Sequence, residues 1–362
     1  MQRGIRRVSS DIETVCVPLA DGGEGTVEAF VAAAGGDIFT THVHDPLGRK
    51  IAACWARLPD GTAVIEMAQA SGLPLFAPHE RDALRASSFG LGELIRHALN
   101  AGCRQFLIGV GGSATTDGGS GALRALGARF LDDDNRELPL GGAALRNLAR
   151  LDLSGFDARV FESQIRVLCD VTNPLCGERG AAHVYGPQKG ASPLQVEILN
   201  LALSHFADVC ATSSTRTADD ERDVTGAGAA GGTAFGLMRF CNARLVSGID
   251  TILEVASFAR KLESADLVLT AEGSIDEQTP QGKALAGVAQ MARNAKNGAG
   301  VPVVAFGGRV TLDGTELQKM GIASAFPLCD GPCDIEYSMS HADVLLASAV
   351  ERALRFWLCA QR

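Results

Sequence analysis

Two acidic residues and three glycines lie together near the start of the chain: Asp21, Gly22, Gly23, Glu24 and Gly25. The carboxylates can bind a cation or accept a proton from a hydroxyl group. Glycine carries no Cβ, so a ligand can approach the backbone N–H groups closely. Asp21 as N-cap and Glu24 at N3 would also form a capping box. Because each glycine weakens a helix, a segment that served only as a cap would not carry three, and we predict a ligand site.

A second glycine-rich segment, residues 109–121, lies between a predicted strand and a predicted helix. At a helix N-terminus, unpaired N–H groups and the positive end of the helix dipole attract anions. Ser113 and Thr115 add hydroxyl donors, and Asp117 can either cap the helix or bind Mg²⁺. The Gly-Lys-Ser/Thr of a P-loop is absent. The segment predicts a phosphate-binding loop, and a tight turn without a ligand is the alternative.

Two further clusters follow predicted strands. Asp170 ends a strand, and in open α/β sheets ligands bind at the carboxyl ends of strands. Lys189 lies among turn residues, where a lysine pairs with a phosphate or carboxylate or is simply solvated. Glu272 and Asp276 follow another strand and suit Mg²⁺, with Lys283 at the start of the next helix. Acidic residues of a surface turn are the alternative for this last cluster.

The composition excludes several classes of protein. The 362 residues favour two domains of about 150 residues each. A net charge of −9 and a pI near 5.3 argue against a general nucleic-acid binder. Ten scattered cysteines indicate a reducing compartment rather than a disulfide framework. Neither a signal peptide nor an apolar run of membrane-spanning length is evident, so we expect a cytoplasmic protein without a membrane segment.

Helical and strand-like periods alternate along most of the chain, which favours α/β architecture. Apolar spacing predicts a helix from Phe89 to about Gly102, and a second helix ends near Gly127. A hairpin or meander is predicted over 42–67, and a solvated loop or hinge over 213–223. Strands are predicted at 14–17, 105–110, 166–169, 265–270, 301–306 and 322–328.

The segment 226–231 matches the glycine pattern of dinucleotide-binding sites, and Asp250 lies about 20 residues further on. An NAD-dependent dehydrogenase is therefore an alternative function. The charged run before this segment does not resemble the strand that the pattern requires. A flexible glycine-rich wall is the competing interpretation.

Several motifs occur in one order over essentially the whole chain. They are LADGGEGT at 19–26, DPLG at 45–48, VIEMAQASGL at 64–73, GELI at 92–95, GGSAT at 111–115, DGG at 117–119, CD at 169–170, NPL at 173–175, GPQKGA at 186–191, GAGAAGG at 226–232, EG at 272–273 with Asp276, and GK at 282–283. On these motifs jointly, the sequence resembles the bacterial type I glycerate kinase family.

The resemblance implies an enzyme that phosphorylates D-glycerate, with ATP as co-substrate and Mg²⁺ as cofactor. The expected product is 2-phosphoglycerate, although related kinases phosphorylate the 3-hydroxyl. The implied fold is a two-domain α/β protein in which a Rossmann-like parallel-sheet domain (1–67 plus 235–362) is interrupted by an inserted α/β domain (68–234), with the active site in the cleft. Glycerate and ATP are then the partners, without nucleic acid or membrane, and a homodimer is an open option.

The clusters and the resemblance together yield a set of candidate site residues. Catalytic roles are assigned to Asp21, Glu24, Asp170, Lys189 and Glu272. Contacts to the ATP phosphates are assigned to Gly111, Gly112, Ser113, Thr115 and Lys283. Contacts to the acceptor substrate are assigned to Gly22, Gly23, Asn173 and Gln188. Metal ligation is assigned to Asp117, Glu272 and Asp276.

Two departures from the family pattern stand out. Family members begin with a strand ending in Asp-Ser-Phe-Lys and a helix, about 25 residues in all, before the segment that matches residues 3–8. We expect either a misassigned start or a kinase-like binding protein with impaired catalysis. Ala271 stands where the family usually has glycine. The added methyl group in a tight turn is expected to have a modest effect.

Overall fold

The computed structural model describes residues 1–212, 221–277, 279, 284–329 and 331–360. Contacts divide the chain into two compact units. The discontinuous unit comprises Met1–Val17 and Leu253–Arg362, and the continuous unit comprises Pro18–Ile252. Both contain helices and parallel strands, and one unit interrupts the other along the chain. The predicted α/β class with an interrupted domain is therefore confirmed.

The strands and helices of the described residues alternate along the chain. The strands are β1 (Asp37–His44), β2 (Lys50–Arg57), β3 (Thr62–Glu66), β4 (Gln105–Gly109), β5 (Arg129–Leu131), β6 (Arg150–Asp152), β7 (Gln164–Leu168), β8 (Arg244–Val246), β9 (Val268–Ile275), β10 (Val303–Val310) and β11 (Ser324–Pro327). The helices are α1 (Gln2–Val8), α2 (Thr26–Ala34), α3 (Ala68–Ser71), α4 (Phe89–Asn100), α5 (Ser120–Ala125), α6 (Ala181–Tyr185), α7 (Pro193–Thr212), α8 (Ala229–Cys241), α9 (Gly248–Val255), α10 (Phe258–Leu262), α11 (Ala284–Arg293), α12 (Gly314–Lys319), α13 (Ile335–Ser340) and α14 (Ala342–Ala360).

The continuous unit is built on a six-stranded sheet with the order β1-β2-β3-β4-β7-β8. Strands β1, β2 and β3 pair antiparallel, which confirms the predicted meander, and β3, β4, β7 and β8 pair parallel. The predicted strands at 105–110 and 166–169 correspond to β4 and β7. Their apolar residues are buried on both faces, as expected for parallel strands covered by helices. The carboxyl ends of β3, β4 and β7 therefore lie side by side.

Helix α4 confirms the helix predicted from Phe89. Leu91, Leu94 and Ile95 are completely buried in the core of the continuous unit. Their helical spacing places them on one face, which packs against the sheet and α5. Gly92 is required there, because a Cβ would lie 2.7 Å from the Cα of Ala122. This close packing places the start of α5, and with it the preceding glycine loop, at the end of β4.

The discontinuous unit contains a three-stranded parallel sheet with the order β11-β10-β9. These strands confirm the predictions at 265–270, 301–306 and 322–328, with shifted bounds. Phe306 of β10 is buried, and Val350 of α14 belongs to the same core. Strand β9 extends to Ile275, so Glu272 lies within the strand and Asp276 directly after it.

Two expectations differ from the structure, and a third falls largely outside the described residues. Residues 14–17 form no strand, and Val15 is exposed, so the segment has no sheet to join. The division between the units lies at 17/18 and 252/253 rather than at 67/68 and 234/235, because β3 and β4 belong to one sheet. The stretch 213–220 lies outside the described residues, and 221–223 form a 3₁₀ turn. None of the described helices combines the length and apolarity needed to cross a membrane.

Candidate functional site

The first two glycine-rich segments pack directly against each other. The N–H of Gly111 donates to the carbonyl oxygen of Gly22 at 2.8 Å. A Cβ on Gly111 would lie 2.6 Å from the Cα of Gly23, and a Cβ on Gly109 would lie 2.6 Å from the Gly22 oxygen. Gly22 itself has φ +92° and packs on the carbonyl of Leu168 at the end of β7. The glycines of these two segments therefore allow their backbones to pack in direct contact.

Helix α2 begins later than the predicted capping box requires. Its first residue is Thr26 and its N-cap is Gly25, in the left-handed region at φ 84°. Within the described part of the chain, the Asp21 side chain accepts one hydrogen bond, from the N–H of Gly23 at 3.1 Å, and Glu24 is exposed. The predicted capping box is therefore wrong, because the left-handed turn at Gly25 separates both acids from the helix.

A buried glutamate that the sequence analysis did not single out serves α2 instead. Glu66, the last residue of β3, is 2% exposed, and its Oε2 lies 3.5 Å from the backbone nitrogen of Val27. Burial raises the pKa of Glu66, and the Val27 N–H opposes this rise. The sequence feature that could have singled out Glu66 is its position, because it is a carboxylate at the end of an apolar strand and within the motif at 64–73.

The second glycine segment exposes a short arc of backbone after β4. Gly112 is exposed, Gly111 is half-buried and Ser113 is 7% exposed. The N–H groups of Gly112 and Ser113 donate to no acceptor among the described residues, whereas the neighbouring Ala114 N–H donates to the carbonyl of Ser71 at 2.8 Å. Two unpaired amides and a serine hydroxyl are the donors that bind a phosphate oxygen. This part of the predicted phosphate loop suits its role.

The threonines of the same segment are directed inward. Thr115 and Thr116 are completely buried, and neither hydroxyl oxygen has a hydrogen-bond partner. The predicted contact from the Thr115 hydroxyl to a phosphate is thus not presented at the surface. The carbonyl of Thr115 has a different task, since it accepts a hydrogen bond from Lys189.

Lys189 is not a solvated turn residue. It is 2% exposed, and its Nζ donates to Ser113 Oγ at 3.0 Å and to the Thr115 carbonyl at 2.6 Å. Burial lowers the pKa of Lys189 to about 7, and the charge of Asp117 opposes the shift. The lysine therefore fastens the glycine loop from the inside of the fold.

Asp117 fills the capping role, the first of its two predicted roles. It is completely buried, and its carboxylate accepts the N–H groups of Gly119 and Gly121 together with the N–H and hydroxyl of Ser88. Burial raises its pKa, and these hydrogen bonds oppose the rise. Four donors occupy both oxygens, so Asp117 is a poor fit to a metal ligand.

The third glycine segment, at 226–232, packs against the loop rather than forming a dinucleotide site. The Gly118 N–H donates to the Gly231 carbonyl at 2.9 Å, and a Cβ on Gly231 would overlap the carbonyl oxygen of Thr115. The described residues immediately before it form the 3₁₀ turn Glu221–Asp223. The strand that a dinucleotide fingerprint requires is therefore not in that place.

Asp170, just after β7, combines burial with an unused oxygen. Its Oδ1 accepts the Gly248 N–H at 3.1 Å, whereas its Oδ2 is buried and lies within hydrogen-bond distance of no donor among the described residues. Gly248 also brings Asp21 close, because a Cβ there would lie 2.7 Å from the Asp21 carbonyl and 2.9 Å from Asp170 Oδ2. Burial raises the pKa of Asp170, the Gly248 N–H and the Ser247 hydroxyl oppose the rise, and the charges of Asp21 and Asp250 add to it. A carboxylate in this state is suited to accept a proton.

The two side chains predicted to contact the acceptor substrate differ in availability. The Asn173 amide donates to the Arg179 carbonyl at 2.8 Å, and its oxygen accepts the Tyr185 hydroxyl at 2.7 Å. Both ends of that amide are thus used to hold its own loop. The Gln188 side chain is exposed, and only the backbone carbonyl of this residue accepts the hydrogen bond from Arg81, at 3.0 Å, among the described residues.

The remaining candidates lie in the discontinuous unit. Glu272 Oε1 accepts the Leu285 N–H at 3.0 Å, and Asp276 Oδ2 accepts the Ser274 hydroxyl at 2.7 Å. Carboxylate oxygens of this kind are the ligands that Mg²⁺ prefers. Lys283 lies outside the described residues. Within the described part of the chain, no three His, Cys, Asp or Glu side chains are placed to hold a metal ion by themselves.

Comparison with known proteins matches this arrangement to one family. The family model described as "Glycerate kinase family" matches residues 1–358. A Bacillus subtilis (strain 168) glycerate kinase is 42% identical over 98% of this chain and 90% of its own length. An Escherichia coli (strain K12) protein named glycerate 2-kinase is 44% identical over 90% of this chain and 84% of its own length.

A solved structure agrees with the same assignment. A Salmonella typhimurium LT2 protein, provisionally assigned as glycerate kinase 2, superposes with a TM-score of 0.84 at 40% identity, over 99% of this chain and 93% of that one. Identity at this level extends over both units of the chain. The chain belongs to the glycerate kinase family and is a phosphotransferase.

Proposed function

We propose that the chain transfers the γ-phosphoryl group of ATP to the 2-hydroxyl of D-glycerate, giving 2-phosphoglycerate and ADP. Family membership supports a glycerate kinase, and the name of the E. coli relative, glycerate 2-kinase, supports the position. The observation that carries the proposal is the half-buried carboxylate of Asp170 at the carboxyl end of β7, whose pKa is raised by burial. The hydroxyl group that accepts the phosphoryl group must lose its proton, and a nearby carboxylate can act as the base that takes it.

In the proposed reaction, the Asp170 carboxylate accepts the proton of the glycerate hydroxyl. The freed oxygen forms a bond to the γ-phosphorus while the bond from that phosphorus to the leaving oxygen breaks, and ADP departs with the electron pair. The raised pKa of Asp170 makes it a stronger base than an exposed aspartate. Asp21, which lies beside it, disfavours a second negative charge and thereby helps Asp170 to take up the proton.

Binding of the phosphate groups is proposed for the exposed arc of the glycine loop. The N–H groups of Gly112 and Ser113 and the Ser113 hydroxyl offer three donors. Phosphoryl transfer depends on positioning and on charge stabilisation, which fixed backbone donors supply without reorganisation. The contacts of Gly111 and Lys189 hold this arc in place.

Mg²⁺ is proposed as the cofactor, with Glu272 and Asp276 as its protein ligands. Both are half-buried carboxylates on an ordered strand end. Mg²⁺ commonly takes only one or two protein carboxylates and completes its shell with water and phosphate oxygens, so a three-residue cage is not required. Glu272 and Asp276 would hold the ion, and the ion would supply positive charge for phosphoryl transfer. Asp117, with both oxygens occupied, is not among the proposed ligands.

The direct test is ADP release by the purified chain with Mg²⁺–ATP, with and without D-glycerate. We expect D-glycerate-dependent ADP and a product that NMR identifies as 2-phosphoglycerate. The variant Asp170→Asn should lose roughly 100-fold or more of kcat, the usual contribution of a general base. The matched control Asp133→Asn, at an exposed turn, should keep wild-type turnover.

Three results would contradict the proposal. Nucleotide binding without ADP release would indicate a kinase-like binding protein. A 3-phosphoglycerate product would move the reaction to the other hydroxyl. Wild-type turnover by Asp170→Asn would remove Asp170 as the base while leaving the family assignment untouched.

A further inference from the structure

Lys189 is unusual because a buried amine has only neutral partners among the described residues. Its Nζ is hydrogen-bonded to a serine hydroxyl and to a backbone carbonyl. A buried ammonium normally pairs with a carboxylate, because an isolated charge is costly to remove from water. Asp117 influences it only through space, while its carboxylate is occupied by Ser88 and two glycine N–H groups. The position therefore favours an anion from outside the protein as the partner charge.

The hydrogen-bond chemistry of Lys189 determines which way the Ser113 hydroxyl points. An ammonium has donors only, so Ser113 Oγ must accept from it, and the Ser113 O–H proton is directed elsewhere. A neutral amine has a lone pair, which can accept that same proton. The carbonyl of Thr115 accepts from the lysine in both states. The charge on Lys189 thus decides whether Ser113 can donate to a ligand at the exposed arc.

We infer that Lys189 is a positioning residue that turns the Ser113 hydroxyl toward a bound phosphate group, and that phosphate binding at this loop is accompanied by uptake of a proton by Lys189. The inference rests on the proposed function, since it takes the nucleotide phosphates as the anion. Lys189 is too buried to touch the phosphate and acts through Ser113. The direct pairing with a phosphate or a carboxylate that was predicted for Lys189 is replaced in this inference by a contact through Ser113.

The electrostatic surroundings support a lysine that changes charge near neutral pH. Burial lowers the pKa of Lys189 to about 7. Charged groups on the neighbouring elements are Asp117 before α5, Arg81 whose guanidinium donates to the Gln188 carbonyl, and the pair of His183 on α6 with Glu197 on α7. Of these, Asp117 acts on the amine, raising its pKa. An anion added nearby raises the pKa further and draws a proton from solution.

The experiment measures this proton by titration calorimetry of the full chain with Mg²⁺ and the β,γ-imido analogue of ATP. Binding enthalpies at about pH 8 in buffers of different ionisation enthalpy give the number of protons taken up. We expect uptake by the wild type and none attributable to the protein in Lys189→Met. Protons taken up by the nucleotide itself are the same for both proteins, so they drop out of the difference between the wild type and Lys189→Met. Wild-type affinity should fall by up to about tenfold per unit as pH rises above about 7.

Two further variants separate positioning from a structural role. Ser113→Ala should weaken binding about tenfold and reduce the proton uptake, because the donor that links the ligand to Lys189 is gone. Lys189→Met should then add little in the Ser113→Ala background, which shows that the two act as one unit. Lys319→Met, at an exposed lysine near the end of α12, is the matched control and should bind as the wild type does.

Each outcome is decisive. Analogue binding with equal proton uptake in the wild type and Lys189→Met, or full additivity of the two substitutions, overturns the inference and leaves the proposed function intact. Absence of analogue binding by the wild type overturns the nucleotide site and the inference with it. If Lys189→Met does not fold, uptake by the wild type that falls in Ser113→Ala supports the inference, and unchanged uptake refutes it.

Discussion

The Oε2 atom of Glu66 lies 3.5 Å from the backbone nitrogen of Val27, so the last residue of β3 accepts a hydrogen bond from the first turn of α2. Helix α2 has no side-chain cap of its own. A carboxylate near a helix N-terminus compensates unpaired N–H groups and favours the positive end of the dipole. This contact ties the glycine turn before α2 to the carboxyl edge of the sheet, where the glycine loop after β4 also lies.

Replacement of Glu66 tests how much this contact stabilises the fold. Glu66→Ala should reduce the free energy of unfolding by about 1–2 kcal/mol, as expected for loss of a helix-capping oxygen. Glu66→Gln keeps an oxygen but removes the charge. Because burial raises the pKa of Glu66 in the folded state, the folded protein holds that proton more tightly. The stability of the wild type relative to Glu66→Gln should therefore fall as pH rises through the carboxyl range.

Urea unfolding at several pH values between about 4 and 7 measures this difference. Glu178→Gln, at an exposed glutamate, is the control and should show no such trend. A difference that stays flat or grows with pH would show that Glu66 is not held with a raised pKa.

The close approach of the two glycine segments predicts a steric effect at Gly111. Gly111→Ala places a Cβ 2.6 Å from the Cα of Gly23, so one backbone must move. We expect a loss of about 1–3 kcal/mol in stability and weaker binding of the ATP analogue. Gly314→Ala is the control, because a Cβ there meets no atom within 4 Å. Unchanged nucleotide affinity in a stable Gly111→Ala protein would separate the loop contact from phosphate binding.

The buried carboxylate of Asp117 predicts a graded response to substitution. Asp117→Ala leaves three N–H groups and one hydroxyl without their acceptor, and we expect a loss of about 3 kcal/mol or more. Asp117→Asn can keep the interactions at Oδ2 but directs its amide N–H₂ toward Gly119, so its loss should be smaller. Thermal unfolding gives the order. Equal losses for the two variants would contradict this account.

The pKa of Asp170 predicts the acid limb of the pH–rate profile. Burial raises that pKa above the usual aspartate value, and the base is competent only when deprotonated. Turnover should therefore rise with pH through an apparent pKa above the usual aspartate range. Measurement of kcat/KM against pH should show this limb in the wild type. An identical limb in the residual activity of Asp170→Asn would assign the proton to another group.

Metal dependence tests the proposed carboxylates of the discontinuous unit. Chelation should abolish turnover, and added Mg²⁺ should restore it. Glu272→Gln and Asp276→Asn should each raise the Mg²⁺ concentration for half-maximal rate by about tenfold or more. Asp266→Asn, at an exposed residue before β9, is the matched control. Wild-type Mg²⁺ dependence in both variants would place the ion elsewhere.

Periodicity and motif content determined the coarse description of this protein. Short apolar runs predicted β4 and β7, and helical spacing of apolar residues predicted α4, because most residues of both strands and one face of the helix are buried. The order of motifs predicted the family. Glycine enrichment predicted where the loops lie, since glycine adopts left-handed turns such as those at Gly22 and Gly112 without the steric cost that a Cβ brings.

The reason for individual glycines and charges was decided by tertiary structure. Gly111 has no room for a side chain, because Gly23, which is far away along the chain, packs against it. The residue that accepts a hydrogen bond from the start of α2 is Glu66, which is also far away along the chain. Local sequence could therefore not identify it, and a capping box at Asp21 was the nearest alternative. The turn residues around Lys189 are typical of a surface lysine, yet in the folded chain Lys189 is buried and donates a hydrogen bond to Ser113. Local spacing reports which element a residue belongs to. Burial and pKa depend on neighbours that only the folded chain brings together.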